Sequence, residues 1–432
     1  MRVERMALGD LQRLGGPEGA ASYLRSLIPA PESVAEPVRQ IIAEVRERGD
    51  RAVQEFTERF DLSGGQARPL LVSADELDDA IRQLKLDVVA GLQVTITNVA
   101  EVAQAGVGSD VTVDLAQGQR VTLREVPVSS AAVYVPGGRA AYPSTVVMGV
   151  VTARAAGVID VSVCSPPGPN GEIHPAVLGA CRLLGVERVY RMGGAQAIAA
   201  MALGTETVKQ VDVIVGPGNL YVQEAKLQLS SMVGIDGLAG PSDLLVILGA
   251  DADTGLAALD LLAQAEHGSG SLVGAISPSG PVLEALERDL TQIAQANPEL
   301  DLADCVLFET SSPKEAVALA NAFAPEHLEL MGADVEALAP AVRTAGCLFI
   351  GAPSATAFGD YVAGSNHVLP TGGAARFASS LSTRHFRRRM PEVRVGPAAE
   401  KLARAGAPIA EMEGFAMHAK SMRARIEENE QL

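Results

Sequence analysis

The sequence predicts an α/β protein with two parallel-sheet domains, and three features of its pattern indicate this class. Short β-rich runs begin after Val128, each ending in glycine or proline and each followed by an alanine-rich helical segment. A second series of the same kind begins at Asp243. The segment from Ser33 to about Ala105 has apolar residues at helical spacing instead. Since alternating strands and helices are typical of βαβ units, each series predicts a parallel sheet.

The expected elements follow in chain order. In the helical segment Ile41, Ile42, Val45, Val53 and Phe56 recur near three and four residues apart with charged residues between them, which predicts helices with one buried face. The first β-rich series predicts strands at residues 131–135, 158–163, 186–192 and 211–215. The second predicts strands at residues 244–248, 272–276, 305–308, 328–330 and 347–350.

The C-terminal tail beyond His385 has a different pattern. An arginine run at residues 387–389 precedes two prolines, and a polar helix is predicted up to Leu432. The tail has no apolar periodicity that predicts a core of its own. An arginine run is typical of a solvated face or a protein contact, so we expect the tail to lie across a partner subunit.

Composition restricts the class of function. The chain has 432 residues, 47% of them hydrophobic, which allows two or three domains with proper cores. A net charge of -17 argues against nucleic acid or an anionic membrane as partner and favours a small cationic ligand. The N-terminus has no signal-type apolar core, and no uninterrupted apolar run reaches the roughly 18 residues of a membrane span. We therefore expect a cytoplasmic protein.

Four cysteines are scattered singly through apolar stretches without a CxxC pair. This spacing predicts buried structural thiols and neither a disulfide framework nor a thiolate zinc site. The residues are Cys164, Cys181, Cys305 and Cys347.

Histidine usage gives the first indication of chemistry, because four of the six histidines lie near a carboxylate or an amide. Imidazole nitrogen and hard oxygen together suit a borderline metal such as zinc. The groupings are Gln264 with His267, Glu326 with His327, Asp360 with His367, and Glu413 with His418. His174, by contrast, opens an apolar helix, and a capping or packing role is predicted for it.

The spacing within these groupings leaves alternatives open. Gln264 and His267 share one face near the end of a helix predicted at residues 255–266, where surface or capping roles are the alternative. Asp360 follows the turn after the strand at 347–350, and open α/β sheets place ligands at the carboxyl ends of their strands. A site that uses His418 would have to be completed by the tail, from this chain or from another subunit.

Glu326 and His327 are adjacent before a predicted strand. Neighbours on an extended segment point to opposite sides, so one buried and one exposed side chain is the simplest expectation. If the turn at Pro325 directs both into a cleft, they supply two bases suited to a two-step proton removal.

Three glycine-rich turns replace the usual dinucleotide fingerprint, since no GxGxxG follows a strand. They are YVPGG at residues 134–138, MGGAQ at 192–196 and GPGN at 216–219, each at the end of an expected strand of one sheet. Glycines there let backbone approach a ligand and leave helix N-termini free for anions. Tight βα turns without a ligand are the alternative.

Taken together in this order, these segments resemble the histidinol dehydrogenase family, and the match runs over nearly the whole chain. The matching stretches are YVPGG at 134–138, GGAQAI at 193–198, VGPGN at 215–219, AGPS at 239–242, QAEH at 264–267, PEHLE at 325–329, GDY at 359–361, NHVLPT at 366–371, and EG at 413–414 with His418. The segment GSGS at 268–271 is richer in glycine and serine than the family leads us to expect.

The resemblance implies a zinc-dependent, NAD-linked homodimer that oxidises L-histidinol to L-histidine through histidinaldehyde, at the end of histidine biosynthesis. It implies one zinc per subunit and catalytic roles for Glu326 and His327, with His327 taking the alcohol proton and Glu326 activating water. The implied zinc ligands are Gln264, His267, Asp360 and, from the other subunit, His418. Ser242, His327, His367 and Glu413 would contact the substrate together with the zinc ligands, and Tyr134, Gln196 and Asn219 would lie along NAD.

The resemblance further implies paired Rossmann-like domains with a helical N-terminal segment and an extended C-terminal tail. We expect an N-terminal arm at residues 1–30 and a discontinuous first α/β domain at 31–130 and 243–382 that carries the metal and catalytic residues. An inserted second α/β domain at 131–242 would carry the NAD-binding turns, and a tail at 383–432 would form the dimer contact.

Two other functions compete with this one. A related zinc and NAD dehydrogenase acting on another small polyol or amino alcohol would use the same core residues, although Ser242, His367 and Glu413 argue against it. A zinc hydrolase that activates water with Glu326 would leave the glycine-rich turns unexplained. The intact Glu326, His327 and ligand positions argue against a catalytically silent binding subunit.

Overall fold

The structure is a computed structural model that describes residues 1–28, 33–62, 66–137, 140–268 and 270–427. Gly138 of the first glycine-rich turn, Ser269 of the GSGS segment and the end of the predicted tail helix lie outside these ranges. The chain divides into two compact units, Met1–Gly106 with Ser129–Phe386, and Val107–Val128 with Arg387–Leu432. The four-part domain organisation stays a prediction.

The helices and strands are numbered in chain order. The helices are α1 (Leu8–Arg13), α2 (Gly16–Ser26), α3 (Ala35–Arg48), α4 (Asp50–Phe60), α5 (Ala74–Gln83), α6 (Leu86–Ala105), α7 (Pro143–Ala155), α8 (Pro175–Leu183), α9 (Gly194–Leu203), α10 (Leu220–Leu229), α11 (Thr254–Ala265), α12 (Gly280–Ala296), α13 (Pro313–Phe323), α14 (Ala333–Glu336), α15 (Thr356–Tyr361), α16 (Ala399–Met412) and α17 (Ala416–Glu427). The strands are β1 (Val3–Met6), β2 (Val111–Asp114), β3 (Arg120–Pro127), β4 (Ser130–Tyr134), β5 (Asp160–Ser165), β6 (Val189–Arg191), β7 (Val213–Val215), β8 (Gly234–Ile235), β9 (Asp243–Leu248), β10 (Leu272–Ser277), β11 (Cys305–Glu309), β12 (His327–Met331), β13 (Cys347–Ile350) and β14 (Arg387–Arg394).

One parallel sheet of the first unit has the order β6-β5-β4-β7-β8. The chain winds outward from β4 to β6 and then returns to the other side of β4 as β7, so a topological switch point lies between β4 and β7. Ligands of open α/β sheets bind at such a point, outside the carboxyl ends of the strands. Helices α3, α4, α9 and α10 pack on this sheet, and their alanines and aliphatic side chains form one of the buried cores.

The other parallel sheet of the first unit has the order β1-β11-β10-β9-β12-β13. It winds in the same way about β9, with the switch between β9 and β12. Helices α2 and α13 cover one face, and α11 and α12 cover the other. Strand β1 forms one edge of this sheet and pairs with β11.

The predicted fold class is confirmed. A strand forms in each of the nine predicted regions, and helix α11 agrees with the helix predicted at residues 255–266 to within one residue at each end. His174 caps α8, because its Nδ1 accepts a hydrogen bond of 3.1 Å from the main-chain N–H of Ala176. The prediction that His174 has a structural role is also confirmed.

The second unit contains an antiparallel sheet that the sequence did not predict. Its order is β14-β3-β2, and the arginine run forms the start of β14, with Arg387 opposite Pro127. The Arg389 guanidinium binds the Glu125 carboxylate, with Nε 2.7 Å from Oε1. Strand propensity here depends on partners more than 260 residues distant, which explains why the pattern alone indicated a solvated face or a protein contact and no strand.

Helices α16 and α17 of the second unit pack on each other through a small alanine cluster. The buried members are Ala407, Ala410 and Ala419, with Met422 against them. Met412, Phe415 and Met417 are exposed. This unit thus buries little apolar surface of its own and leaves large apolar side chains uncovered.

Within the described residues, α6 is the one helix long and apolar enough to cross a membrane by length and composition, and 17% of its apolar window is buried. Polar residues interrupt it, and the Asn98 side chain donates a hydrogen bond of 2.7 Å to the Val362 carbonyl. Such a helix is weak evidence for a span.

Candidate active site

A cleft of about 1140 Å³ lies within the first unit and brings the two parallel sheets together. Residues after β4, β6 and β7 line it from the carboxyl edge of one sheet. Residues before β9 and β12 line it from the amino edge of the other. Its volume is close to that of large ligand sites in proteins.

The glycine-rich turns meet at the switch point between β4 and β7, as their positions at strand ends predict. Tyr134 ends β4, and its hydroxyl accepts a hydrogen bond of 3.2 Å from the N–H of Gly194, the first residue of α9. Gly216 has φ +115°, and a Cβ atom there would lie 2.1 Å from the Tyr134 carbonyl oxygen. Only glycine allows this approach of two turns.

Tyr134, Gln196 and Asn219 all line the cleft. Asn219 caps α10, and its Oδ1 accepts hydrogen bonds from the main-chain N–H groups of Tyr221 and Val222 at 3.0 and 3.2 Å. The N-termini of α9 and α10 both lie on this side of the cleft, where the positive ends of the two helix dipoles favour an anion such as a pyrophosphate.

A buried ion pair holds the third turn in place. The ammonium group of Lys226 donates to the Gly216 carbonyl at 2.5 Å and to Oδ1 of Asp236 at 2.7 Å. The other oxygen of Asp236 accepts from the Gly216 N–H at 2.6 Å. Both polar groups of Gly216 are thus fixed by a pair whose side chains are 1% and 7% exposed.

Glu326 and His327 both point into the protein, so the expectation of one buried and one exposed side chain is wrong. Ala324 ends α13 with φ 53°, and Pro325 follows it, which turns the chain sharply before β12. Both side chains line the cleft, and they are 6% and 3% exposed. The turn overrides the alternation of a regular strand and brings two bases to one site.

Asp243 fixes Glu326 through two reciprocal hydrogen bonds. The N–H of Glu326 donates to Oδ1 of Asp243 at 2.6 Å, and the N–H of Asp243 donates to Oε2 of Glu326 at 3.1 Å. These bonds join the first residue of β9 to the residue that precedes β12, at the switch point of the second sheet. Burial raises the pKa of Glu326 to about 8.

His327 lies between two carboxylates without a close hydrogen bond to either. Its Nδ1 is 3.8 Å from Oε2 of Glu326, and its Nε2 is 3.4 Å from Oδ1 of Asp360. Neither ring nitrogen has a hydrogen-bond partner among the described residues. Burial lowers the pKa of His327, but Asp360 and the neighbouring carboxylates outweigh burial and raise it to about 9.

The predicted metal ligands of the first unit line the same cleft as His327. Gln264 lies in the last turn of α11, His267 follows that helix, and Asp360 lies on α15, which packs against α11. All three line the cleft. The Nε2 atom of Gln264 is buried and has no hydrogen-bond partner among the described residues. His267 is exposed to the cleft, and desolvation lowers the pKa of its imidazole.

The expectation that Asp360 lies at a carboxyl end of the sheet is wrong. It approaches His327, the first residue of β12, so it belongs to the amino edge. The chain leaves β13 at Ile350 and α15 comes back to that edge, where α11 also ends. The glycine-rich turns lie at carboxyl ends of strands, as the rule for open α/β sheets leads us to expect, whereas Asp360 lies beside the amino end of β12.

His367 is held on both ring nitrogens. Its Nδ1 lies 2.8 Å from the Asp360 carbonyl oxygen, which can only accept, so Nδ1 carries the proton. Burial lowers the pKa of His367, and the neutral ring then accepts from the Thr145 hydroxyl, whose oxygen is 3.0 Å from Nε2. His367 lines the cleft, as does Ser242. The predicted substrate contact of His367 therefore requires one of these bonds to be shared or exchanged.

Glu413 and His418, the two remaining predicted site residues, belong to the second unit. Glu413 caps the C-terminus of α16, and His418 lies on α17, with its ring centroid 5.2 Å from that of Phe415. Both residues are exposed. Among the described residues, no three His, Cys, Asp or Glu side chains form a metal-binding cluster.

Several residues that shape the site have no recognisable signal in the sequence. Asp243 and Thr145 act through contacts with Glu326 and His367 that join distant segments. Asp61 also lines the cleft. A lone aspartate or threonine has no diagnostic spacing, so only the fold reveals its position.

The prediction of structural thiols is confirmed. All four cysteines are free, three are buried and Cys347 is partly buried. Burial raises the pKa of Cys305 to about 12 and that of Cys347 to about 11, which disfavours a thiolate nucleophile.

Comparison with known proteins decides the family. Residues 29–426 match the family model described as histidinol dehydrogenase. The chain belongs to the histidinol dehydrogenase family. This family comprises NAD-linked oxidoreductases of histidine biosynthesis.

Relatives named histidinol dehydrogenase match along the whole chain. The protein of Parasynechococcus marenigrum is 42% identical over 99% of this chain and 97% of its own length. That of Gluconobacter oxydans is 39% identical over 97% of this chain and 99% of its own length. The crystal structure of histidinol dehydrogenase from Elizabethkingia anophelis has a TM-score of 0.90 at 29% identity and covers 99% of this chain and 98% of that one. The family assignment predicted from the motifs is confirmed.

Proposed function

We propose that this protein oxidises L-histidinol to L-histidine with two molecules of NAD, in one cleft that holds a zinc ion beside Glu326 and His327. The observation that carries this proposal is the position of His327, whose two unpaired ring nitrogens face a cleft continuous with the glycine-rich turns. Membership of the histidinol dehydrogenase family supports the reaction and its place in histidine biosynthesis.

The side chains of the first unit fit a zinc ion. Gln264, His267 and Asp360 offer an amide oxygen, an imidazole nitrogen and a carboxylate, a mixture that zinc accepts. The lowered pKa of His267 suits an imidazole that is to bind a metal in its neutral form. The partner subunit's His418 would complete the ligand set. Zinc, when bound, supplies a Lewis-acid anchor that orients the imidazole and amine of the substrate.

His327 is proposed to act as the base for the alcohol. Among the described residues its ring nitrogens have no hydrogen-bond partner, so Nε2 can take the proton of the substrate hydroxyl as hydride passes from the carbinol carbon to NAD. The pKa of about 9 reflects the negative charge of Asp360. Once a cation compensates that charge, the pKa of His327 falls toward neutrality, where a base works best.

Glu326 is proposed to act at the aldehyde stage. Its carboxylate is fixed by Asp243 and desolvated, which raises its proton affinity toward that of a useful general base. In this role it removes a proton from water as the water adds to the aldehyde carbon. After His327 has released the first proton to solvent, it accepts the proton of the hydrate as the second hydride passes to NAD.

The cofactor side of the proposal rests on the switch point between β4 and β7. Tyr134, Gln196 and Asn219 line this side, and the N-termini of α9 and α10 open beside them. A pyrophosphate at these helix ends would place the nicotinamide toward β9 and β12, where His327 lies.

We also propose that the protein acts as a homodimer in the cytoplasm, with each active site completed by the partner's tail. The second unit supports this, because its helices bury only a small alanine cluster and expose Met412, Phe415 and Met417. Exposed apolar patches of this kind mark contact surfaces. A tail that crosses to a partner would bring Glu413 to the substrate ammonium group.

The reaction is tested by supplying the zinc-loaded protein with L-histidinol and NAD and identifying the product. L-histidine and NADH are expected, and treatment with a chelator should abolish both until zinc is restored. Turnover of other amino alcohols or polyols with none of L-histidinol would favour the related dehydrogenase. Hydrolysis without NAD would favour the zinc hydrolase.

A further inference from the structure

The cleft contains an acidic side chain that the chemistry at His327 does not use. Asp61 lines the cleft, and its Oδ2 atom is buried without a hydrogen-bond partner among the described residues. It caps the C-terminus of α4, where its main-chain N–H donates to the Thr57 carbonyl at 2.9 Å. The negative end of the helix dipole repels a carboxylate there. Burial raises the pKa of Asp61 to about 6.

This position costs stability, so its occupation by aspartate indicates a binding role. An unpaired, desolvated carboxylate at a helix C-terminus is unfavourable on three counts, namely burial, the dipole and the lack of a donor. A ligand that brings hydroxyl groups to Asp61 would relieve the burial and donor costs together.

Asp61 lies on the cofactor side of the cleft. Helix α4 packs against α9, which begins at the glycine-rich turn of Gly194. The pKa of Tyr134 is raised chiefly by burial, and the negative charge of Asp61 adds to the rise, which indicates that the two side chains are near neighbours. His327 and the proposed metal ligands, in contrast, lie at the edge of the other sheet.

The surroundings of Asp61 suit an adenosine. Phe60 lines the cleft and is 51% exposed, and it stacks on Phe56 with ring centroids 5.7 Å apart. The Arg59 guanidinium carbon also lies 5.1 Å from the Phe60 ring centroid, so the exposed part of the ring is what offers a base an apolar contact. Ile41 adds an apolar wall. The lining residues that the structure describes contain no lysine or arginine, the side chains that usually accommodate an additional phosphate.

We propose that Asp61 binds the adenosine ribose of NAD through its 2′- and 3′-hydroxyl groups and excludes NADP. Both carboxylate oxygens only accept hydrogen bonds, which matches a vicinal diol, and their negative charge repels a 2′-phosphate. The inference rests on the proposed function, because it takes NAD to lie along Tyr134, Gln196 and Asn219.

The test compares Asp61→Asn with the wild type in steady-state assays with NAD, NADP and 2′-deoxy-NAD. Glu47→Gln is the matched control, since Glu47 is an exposed carboxylate on the neighbouring helix α3. We expect Asp61→Asn to raise the KM for NAD roughly 10-fold or more, as loss of hydrogen bonds to a charged group does, with little change in kcat. Its kcat/KM for NADP should rise.

The 2′-deoxy-NAD comparison tests the contact between Asp61 and the 2′-hydroxyl group of the adenosine ribose on its own. The wild type and Glu47→Gln should discriminate NAD from 2′-deoxy-NAD by roughly 10-fold, and Asp61→Asn should lose that discrimination. The melting temperature of Asp61→Asn should equal or exceed that of the wild type, because the variant removes an unpaired buried charge. If the variant fails to fold, equal use of NAD and 2′-deoxy-NAD by the wild type still overturns the proposal.

Two further results would overturn the assignment of Asp61. One is an unchanged NAD to NADP preference in Asp61→Asn, and the other is a fall in kcat with no change in the KM for NAD. Both leave the proposed function intact. A wild-type protein that reduces no NAD with L-histidinol would instead contradict the proposed function itself.

Discussion

At the scale of single residues, Glu326 and His327 have different surroundings in the cleft, and we propose that they therefore serve different steps of the reaction. His327 has both ring nitrogens unpaired among the described residues, so it can exchange a proton with the substrate. Glu326 is held by Asp243 at 2.6 and 3.1 Å and is aimed at one place in the cleft. Two successive oxidations need one side chain that can take up and release a proton, here His327, and one base that is held in position, here Glu326.

This difference predicts a separation of the two half-reactions. His327→Ala should slow oxidation of L-histidinol roughly 10²- to 10⁴-fold, the usual contribution of a general base. Glu326→Gln should leave histidinol oxidation nearly intact and slow oxidation of added histidinaldehyde by a similar factor. Stopped-flow measurement of NADH from each substrate checks this, and equal losses of both half-reactions in both variants would contradict it.

The raised pKa of Glu326 predicts a pH dependence with a definite sign. Its general-base form is the carboxylate, which predominates only above about pH 8. Aldehyde oxidation should therefore rise with pH and level off above about 8, and Glu326→Gln should remove this rise. A rate for the wild-type aldehyde step that falls between pH 7 and pH 9 would exclude the role.

The same raised pKa predicts a change in stability. Glu326 binds its proton more tightly when folded, so its contribution is fully present below its ordinary value of 4.5 and is lost as pH rises to about 8. Glu326→Gln should therefore be most stabilised relative to wild type above pH 8. Urea unfolding of both proteins across this range measures the difference in unfolding free energy between Glu326→Gln and the wild type. A difference that shrinks as pH rises would contradict the prediction.

At the scale of secondary-structure elements, the conformation of the glycine-rich turn at Gly216 depends on its contacts with helix α10 and with Asp236. The ammonium group of Lys226 on α10 and the carboxylate of Asp236 fix both polar groups of Gly216, and Gly216 lies against the Tyr134 carbonyl. The glycine-rich turn is thus held from behind by a buried ion pair and does not depend on bound cofactor for its conformation.

Breaking this pair should harm stability and cofactor binding together. Lys226→Met leaves an uncompensated buried carboxylate and should cost about 3–5 kcal/mol of unfolding free energy. The double variant Lys226→Met with Asp236→Leu should recover most of that stability, because both charges are gone. Its KM for NAD should stay raised, since Gly216 has lost its partners, while its KM for L-histidinol should not change. Recovery of the KM for NAD in the double variant would show that the pair serves stability alone.

Local patterns predicted the elements that local chemistry controls. The nine strands, α11 and the cap at His174 follow from β-rich runs, helical spacing and the residue before a helix. The β14-β3-β2 sheet did not follow, because its pairing joins Arg387 to Pro127 across the chain. For Glu326 and His327 the sequence left two arrangements open, and the αL residue Ala324 with Pro325 turns the chain so that both side chains are buried.

At the scale of the whole molecule, the cleft unites opposite edges of two sheets that wind in the same way. One sheet contributes glycine-rich turns at its carboxyl edge, and the other contributes Glu326, His327 and the proposed metal ligands at its amino edge. Motif matches in the sequence identified these residues but could not show how they are arranged in space. Their arrangement depends on where α11 and α15 return to the sheet, which only the fold shows.

The proposed sharing of the site between subunits predicts complementation. His327→Ala and His418→Ala homodimers should each be nearly inactive. After the two are unfolded together and refolded, mixed dimers should regain one working site, so roughly a quarter of wild-type activity should return for random pairing. No recovery, with mixed dimers verified by mass spectrometry, would mean that His418 serves its own chain.

The stoichiometry of NADH formation tests the central claim most directly. Zinc-loaded protein would be given a limiting amount of L-histidinol with excess NAD, while an aldehyde-trapping reagent reports any histidinaldehyde released. Two NADH per L-histidinol with no trapped aldehyde is the predicted result, since Glu326 and His327 serve one cleft. One NADH per L-histidinol with aldehyde accumulating in solution would contradict a single site for both oxidations.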